Sequence, residues 1–247
     1  MRLGKKLNKM KNRKKVFILG ASSDIGIEIM KIYIENNYEV FAHYNNGNRI
    51  FKDFTKKNKI QTIRLNFLKT NFKTKKFLIS KIFKKCDVLI NAIGHIKPAT
   101  FSKTKISDLE NIFKVNYFPG LILSQVIGKE MIKRKWGRIV NLGSIGVKFG
   151  GGLDNFPYAL SKFMLEFFPS EIKNWTKQNV LVNTIRVGAT DTKLHLKLPN
   201  KNLIKRKKLI PIKRFAKPKE IAKFVYFLGS NENTYISNQV LSISGGE

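Results

Sequence analysis

Residues 16–26, VFILGASSDIG, join a short apolar run to a glycine-containing turn. The apolar run 16–19 predicts a buried strand, and isoleucines that recur at helical spacing from Ile25 predict a helix after the turn. Gly20 permits a tight turn after the strand, and Gly26 permits close packing of the helix. Such a helix start offers backbone N–H groups and a positive dipole end to a phosphate. The stretch predicts a dinucleotide site, although a simple strand-to-helix turn would explain the same residues.

The rest of the chain alternates strands with helices. Strands are predicted over residues 38–43, 60–65, 87–91, 138–142, 180–186 and 239–243, and helices over 49–57, 71–84, 106–135 and 218–228. Pro119 should disturb the long helix, and Pro169 should kink or divide the helix that Asp154 or Asn155 caps. This alternation predicts right-handed βαβ units, so we expect one doubly wound, three-layer α/β domain, a Rossmann fold, over residues 16–247.

The net charge of +32 is extreme, and residues 1–15 form a basic arm that we expect to be loosely held. Outside this arm the lysines are spread along the chain, so compositional bias explains the charge and we do not expect a nucleic-acid surface. A basic surface would also attract phosphates, CoA-like groups or an acidic carrier protein. Residues 193–208 are basic and are expected to be mobile.

Several classes of protein are disfavoured by the sequence. No apolar run reaches the roughly 18 residues of a membrane span, and the arm lacks the apolar core of a secretory signal, so we expect no membrane segment. The single cysteine, Cys86, fits a reducing compartment and a cytoplasmic location. His43, His95 and His195 have no metal-ligand spacing and are expected to line loops or pockets, so no metal is predicted.

Tyr158 and Lys162 stand four residues apart near the start of a predicted helix and therefore share one helical face. A nearby ammonium favours the phenolate, so it lowers the pKa of a tyrosine from its usual value of about 10. Ser144, after the predicted strand 138–142, adds a hydroxyl. The three residues predict a tuned proton donor beside a second hydroxyl, although a Tyr-x-x-x-Lys spacing also arises by chance.

Six segments in order resemble motifs of the classical short-chain dehydrogenase/reductase family, and the similarity runs from Val16 to the C-terminus. The segments are 20–26, 91–94, 115–116, the set of Ser144, Tyr158 and Lys162, 182–192, and 212–222 together with 235–241. The general look is that of the 3-oxoacyl-[acyl-carrier-protein] reductases. Leu19, Asn66, Val187 and Asn238 depart from the residues that the family usually has at those positions.

The resemblance implies an oxidoreductase that moves hydride between a nicotinamide cofactor and a carbonyl or secondary alcohol. Ser144 would polarise the carbonyl, and Tyr158 would act as the acid or base. Lys162 would lower the pKa of Tyr158 and bind the nicotinamide ribose. Asn116 would hold a water that links Lys162 to solvent, or would bond the backbone at a helix kink.

The resemblance also implies a set of cofactor contacts. They are Gly20, Ser22, Ser23, Asp24, Ile25, Gly26, Tyr44, Asn45, Arg49, Asn66, Phe67, Asn91, Ala92, Gly94, Tyr158, Lys162, Val187, Gly188, Thr190 and Thr192. No carboxylate follows the second strand to bind a ribose 2′-OH, and Arg49 lies just beyond, which favours NADP(H) over NAD(H). Against this, Asp24 stands where many NADP-using relatives carry a basic side chain, and Arg49 could equally be a solvated surface charge.

The substrate remains open between a 3-oxoacyl thioester and a sugar or polyol derivative. Three loops, 96–103, 145–156 and 193–208, would select it. A different class of protein, a dinucleotide-binding sensor or scaffold without catalysis, is also compatible with the glycine turn, but it would not need Asn116, Ser144, Tyr158 and Lys162 together. The resemblance further implies a homo-oligomer, a tetramer or dimer.

Overall fold

The computed structural model describes residues 13–70, 85–193 and 202–247. Its centre is one parallel sheet with the order β3-β2-β1-β4-β5-β6-β7. The strands are β1 (Lys15–Leu19), β2 (Glu39–Tyr44), β3 (Gln61–Arg64), β4 (Val88–Asn91), β5 (Gly137–Leu142), β6 (Val180–Val187) and β7 (Val240–Ile243). The predicted doubly wound α/β fold is confirmed.

Helices connect the strands. They are α1 (Asp24–Glu35), α2 (Arg49–Lys57), α3 (Ile106–Asn116), α4 (Phe118–Lys133), α5 (Phe156–Phe163), α6 (Ser170–Trp175), α7 (Leu203–Leu209) and α8 (Pro218–Leu228). Short 3-10 helices lie at Ile145–Phe149, Met164–Glu166 and Thr176–Gln178. None of these described helices is long and apolar enough to cross a bilayer.

The core lies on both faces of the sheet. On one face, Ile29 and Tyr33 of α1 and Val225 of α8 are buried in one cluster. On the other face, Ile127 of α4 and Trp175 of α6 are buried in a second. A parallel sheet covered on both faces needs strands that are apolar throughout, as in β4, where every residue is buried.

Pro119 and Pro169 lie close to helix boundaries, near the positions where the sequence predicted a break. The helix predicted over 106–135 is two helices that meet at Tyr117, and Pro119 lies in the first turn of α4, where a missing N–H is tolerated. Likewise α5 ends at Phe163, and Pro169 is the N-cap residue of α6. The expected division of this second helix is confirmed.

The basic stretch 193–208, which we expected to be mobile, contains the helix α7 in its last part, and its residues 194–201 lie outside the described residues. Asn202 caps α7 by accepting a hydrogen bond from Lys205 N at 2.8 Å. The predicted helix 71–84 and residues 1–12 of the predicted arm lie outside the described residues. Within that arm, Lys15 already belongs to β1, and Lys14 Nζ lies 3.2 Å from the centroid of the Trp136 ring.

Candidate active site

A cleft of about 1290 Å³ opens where β1, β4, β5 and β6 end. The strand order reverses between β1 and β4, and doubly wound sheets bind ligands at such a point. Ser144, Tyr158 and Lys162 line this cleft, whereas Asn116 is fully buried and does not. The sheet thus brings three of the four predicted catalytic residues into one cavity.

Most of the predicted cofactor contacts also line the cleft. They are Gly20, Ser22, Ser23, Asp24, Ile25, Asn45, Asn66, Phe67, Ala92, Gly94, Tyr158, Lys162, Val187, Gly188, Thr190 and Thr192. The other four predicted contacts, which are Gly26, Tyr44, Arg49 and Asn91, lie outside its wall. The Arg49 side chain is 94% exposed and faces Asp53 at 3.6 Å, so it belongs to the outer surface of α2.

The glycine turn has the geometry that its sequence predicts. Gly20 has a φ of 74°, and a Cβ there would lie 2.8 Å from the carbonyl oxygen of Ala92. Ser23 caps α1 by accepting a hydrogen bond from Gly26 N at 3.0 Å. Across the cleft, a Cβ at Gly94 would meet nothing within 4 Å. Ser23, Asp24 and Ile25 at the α1 N-terminus line the cleft, and such a helix start fits the diphosphate of a nicotinamide dinucleotide.

His43, at the carboxyl end of β2, holds the glycine turn in place. Its Nδ1 accepts a hydrogen bond from Gly20 N at 3.2 Å, and its Nε2 lies 3.0 Å from the carbonyl oxygen of Leu65. A carbonyl only accepts, so Nε2 carries the proton and the ring is neutral. Burial lowers the pKa of His43 to about 4. Both His43 and His95 line the cleft, as predicted, and His195 lies outside the described residues.

The Ser144 and Tyr158 side chains both line the cleft, and the Ser144 hydroxyl acts to lower the pKa of the Tyr158 phenol. Ser144 follows β5, and its Oγ accepts from Gly146 N at 3.2 Å, which fixes the side chain at the start of a 3-10 helix. Burial raises the pKa of Tyr158 to about 12, and the Ser144 hydroxyl only partly offsets this rise. The direction is opposite to the lowering expected from a neighbouring ammonium.

The surroundings of Lys162 explain why its amine does not lower the pKa of Tyr158. Lys162 Nζ lies 5.7 Å from the centroid of the Tyr158 ring, and it donates hydrogen bonds to the carbonyl oxygens of Ile93 at 2.6 Å and Leu142 at 2.7 Å. Burial lowers the pKa of Lys162 to about 7. Near neutral pH the amine is therefore only partly charged, and it is turned toward two carbonyls that end β4 and β5, so it does little to favour the phenolate.

Asn116 lies in the protein interior and does not line the cleft. Its Oδ1 accepts from His95 N at 2.8 Å, and its Nδ2 donates to His95 O and to Ser161 Oγ, both at 2.9 Å. Ser161 Oγ in turn donates to the carbonyl oxygen of Tyr158 at 2.7 Å. This chain of bonds ties the loop after β4 to the helix that carries Tyr158 and Lys162.

Two residues near the site were missed by the sequence reasoning. Ser161 is fully buried on α5, and the signal for it was a polar residue beside Lys162 on a buried helical face. Arg64, at the end of β3, donates from Nε to the carbonyl oxygen of Asn45 at 3.2 Å, although Asn45 was predicted to contact the cofactor. The sequence alone does not show that β3 pairs with β2, so it did not indicate that Arg64 lies beside Asn45. The described residues contain no cluster of metal ligands.

The chain is similar over most of its length to known reductases. A family profile described as enoyl-(acyl carrier protein) reductase matches residues 20–247. A 3-oxoacyl-[acyl-carrier-protein] reductase of Buchnera aphidicola (subspecies Baizongia pistaciae) is 31% identical over 244 residues, 96% of this chain and 98% of that protein. The same-named protein of Aquifex aeolicus is 34% identical over 161 residues, 65% of this chain and 64% of that protein.

Solved structures share the fold. A 3-oxoacyl (acyl-carrier-protein) reductase from Agrobacterium tumefaciens, with NADP bound, has a TM-score of 0.83 and 20% identity, over 95% of this chain and 94% of that one. A gluconate 5-dehydrogenase from Beutenbergia cavernae, assigned only provisionally and with NADP at low occupancy, has a TM-score of 0.83 and 24% identity, over 94% and 96%. Together with the profile match, these findings show that the chain belongs to the short-chain dehydrogenase/reductase family and is an oxidoreductase that acts on a carbonyl or alcohol group.

Proposed function

We propose that this protein is an NADPH-dependent reductase of 3-oxoacyl thioesters, with the acyl group held by an acidic carrier protein. The observation that carries the proposal is that Ser144, Tyr158 and Lys162 line one cleft, with Tyr158 and Lys162 on the same helix. The full-length similarity to a protein named as a 3-oxoacyl-[acyl-carrier-protein] reductase supports the substrate class.

The two hydroxyl groups suit a carbonyl substrate. A bound nicotinamide supplies hydride to the carbonyl carbon. Ser144 and Tyr158 donate hydrogen bonds to the carbonyl oxygen, which polarises the C=O bond and stabilises the charge that develops on the oxygen. Tyr158 gives its proton to that oxygen as the alcohol forms. Lys162 holds Ile93 and Leu142 at the ends of β4 and β5 and would bind the nicotinamide ribose.

The electrostatics of the site suit Tyr158 as a proton donor. Because the pKa of Tyr158 is raised to about 12, the phenol is protonated at neutral pH and ready to act as an acid. We propose reduction as the working direction of the enzyme, in keeping with the similarity to a protein named as a reductase.

The rim of the cleft favours an acyl substrate over a sugar. Phe149, Leu153 and Leu209 line the cleft yet are also exposed, and Leu153 is 92% exposed. A polyol would gain little from such apolar side chains, whereas an acyl chain would remove them from water at roughly 25 cal/mol per Å² of apolar surface. A sugar or polyol derivative remains the alternative substrate.

Cofactor preference is proposed from the end of β2. The residues after this strand, Asn45 and Asn46, are uncharged, and the Arg64 guanidinium bonds the carbonyl of Asn45. A cation and no carboxylate at the adenosine ribose would favour the 2′-phosphate of NADPH. We propose NADPH as the cofactor and the cytoplasm as the location, in keeping with the buried free thiol of Cys86.

We also propose a homo-oligomer. Phe118 of α4, Phe163 of α5 and Phe167 just beyond α5 are exposed, although large aromatic side chains are normally covered. Helix α4 follows Asn116, and α5 carries Tyr158 and Lys162. The three phenylalanines therefore lie on or beside helices next to the predicted catalytic residues. A second copy of the chain, packed against α4 and α5, would remove them from water.

The proposed function is tested by following NADPH oxidation with three substrate classes: a 3-oxoacyl-carrier thioester, a small 3-oxoacyl thioester, and sugar-derived ketones. NADH is assayed alongside. We expect turnover of both thioesters with NADPH and none with the sugars. Tyr158→Phe should lower kcat by about 10²–10⁴-fold and leave the cofactor Kd within about twofold. Turnover by this variant at the wild-type rate, or turnover of sugars alone, would contradict the proposal.

A further inference from the structure

Asp24 connects the two sides of the cofactor end of the cleft. Its Oδ2 accepts a hydrogen bond from the backbone N of Lys193 at 2.9 Å. Asp24 is the first residue of α1, beside the glycine turn, and Lys193 follows β6 by six residues; both line the cleft. This bond therefore joins the residues predicted to contact the diphosphate to the residues predicted to contact the nicotinamide.

Among the described residues, the other backbone bonds of segment 188–193 to distant parts of the chain run to β7 and to Ala216. Gly188 N donates to Ile243 O of β7, and Asp191 N donates to Ala216 O, both at 2.9 Å. Ala216 N returns a bond to Ala189 O, also at 2.9 Å. These bonds fix residues 188–191 to β7 and to Ala216, which precedes α8. The bond from Lys193 to Asp24 ties this part of the chain to the start of α1.

The position of Asp24 allows two opposite roles. As a free carboxylate near an adenosine ribose, it would repel the 2′-phosphate of NADPH by roughly 1 kcal/mol at close range in water, less in salt, and would leave NADH unaffected. As the acceptor of the Lys193 N–H, it would instead hold both walls around any nicotinamide dinucleotide. The hydrogen bond at 2.9 Å favours the second role.

We propose that Asp24 is a positioning residue that fastens the segment 188–193 across the bound dinucleotide, and so slows the release of NADPH and NADH alike. The inference rests on the proposed function, because it requires that the cleft bind such a cofactor. The proposed role requires a hydrogen-bond acceptor at residue 24 but no negative charge. It therefore differs from a role in which Asp24 repels the 2′-phosphate of NADPH.

Three variants test the proposal: Asp24→Ala removes the acceptor and the charge, Asp24→Asn removes the charge and keeps an acceptor, and Asp191→Ala removes an exposed carboxylate of the same segment as a control. The dissociation rates of NADPH and NADH are measured by stopped-flow displacement, followed by cofactor fluorescence. Thermal unfolding without cofactor shows whether α1 remains intact.

We expect Asp24→Ala to raise both dissociation rates by about three- to tenfold, which is the typical net contribution of one hydrogen bond. Asp24→Asn should restore most of the wild-type rate, and Asp191→Ala should not change it. Slower release of NADPH alone, in both Asp24 variants, would overturn the proposal in favour of charge repulsion. Unchanged rates in Asp24→Ala would also overturn it. If the wild-type protein bound neither dinucleotide, the proposed function itself would fail.

Discussion

The side chain of Asn116 donates a hydrogen bond to Ser161 Oγ at 2.9 Å, inside the protein and out of reach of the cleft. Through this bond the end of α3 positions α5, because Ser161 Oγ also donates to the carbonyl oxygen of Tyr158. Asn116 is therefore linked to Tyr158 through the backbone carbonyl of that residue, and it reaches the loop after β4 through His95. Three side-chain atoms, Asn116 Oδ1, Asn116 Nδ2 and Ser161 Oγ, therefore both position the site and stabilise the fold.

Replacing Ser161 should reveal this link. Ser161→Ala leaves one donor of the buried Asn116 amide unpaired, which costs about 1–3 kcal/mol of unfolding free energy. We expect urea unfolding to show this loss, and kcat to fall several-fold with little change in KM, because Tyr158 loses its fixed position while substrate contacts remain. Thr176→Ala, which removes an exposed hydroxyl bonded to Ser237, is the matched control. Equal effects in both variants would contradict a role for Ser161 in the site.

The sequence predicted the elements of this fold well where local chemistry decides them. The apolar runs of β1, β4 and β5 admit few other readings, and the turn at Gly20 needs a residue that adopts a φ of 74°. Asn238, which departs from the usual family residue, has a φ of 56°, which asparagine tolerates better than most residues, so the turn is kept. By contrast, α7 was missed because its run of lysines and arginine resembles a solvated loop, and only its inward Arg206 and capping Asn202 indicate a helix.

The sequence predicted most of the residues that line the cleft, but it did not predict their pKa values. A spacing of four residues places Lys162 near Tyr158, yet it does not say how deeply either is buried. Burial reverses the expected direction of the Tyr158 pKa and lowers the pKa of Lys162 to about 7. Likewise, Arg49 follows β2 closely in sequence, but the position of α2 turns it to the outer surface, while the strand pairing of β2 with β3 brings Arg64 beside Asn45.

The lowered pKa of Lys162 should be visible as a pH dependence of stability. Between about pH 7 and the usual lysine value near 10.5, the unfolded chain binds a proton at this residue that the folded chain does not. Stability therefore rises with pH across this window, by up to about 1.4 kcal/mol per pH unit from this group. Lys162→Met should lack this rise, although it also loses the bonds to Ile93 and Leu142 at every pH.

The measurement is urea unfolding of wild type and Lys162→Met at several values between pH 6.5 and 9.5. We expect the difference in unfolding free energy between the two proteins to move in favour of the wild type as pH rises. Lys177→Met, a change at an exposed lysine, controls for the loss of one positive charge. Parallel curves for wild type and Lys162→Met would mean that the buried amine is charged throughout.

Arg64 and Arg49 give a paired test of the cofactor preference. Arg64→Gln should weaken NADPH binding by about tenfold and leave NADH binding unchanged, because only NADPH carries a 2′-phosphate for the guanidinium to contact. Arg49→Gln should change neither, since this side chain faces Asp53 on the outside of α2. The Kd values for both cofactors, obtained by fluorescence titration, check the prediction. A selective loss of NADPH binding in Arg49→Gln instead would place the phosphate at α2.

The exposed aromatic residues beside the site predict that assembly and catalysis are coupled. Phe163 directly follows Lys162 and lies on the outer side of the same helix, so a partner packed on it would also hold α5 in place. Phe163→Asp would place a charge in that contact, where an unpaired buried carboxylate is strongly unfavourable. We expect light scattering to show a smaller species than the wild type, and kcat to fall with it. Tyr235→Asp, at a 94% exposed residue beyond α8, is the control and should change neither. A wild-type protein that is monomeric, or a Phe163→Asp variant that keeps its size, would show that this face is not an interface between copies of the chain.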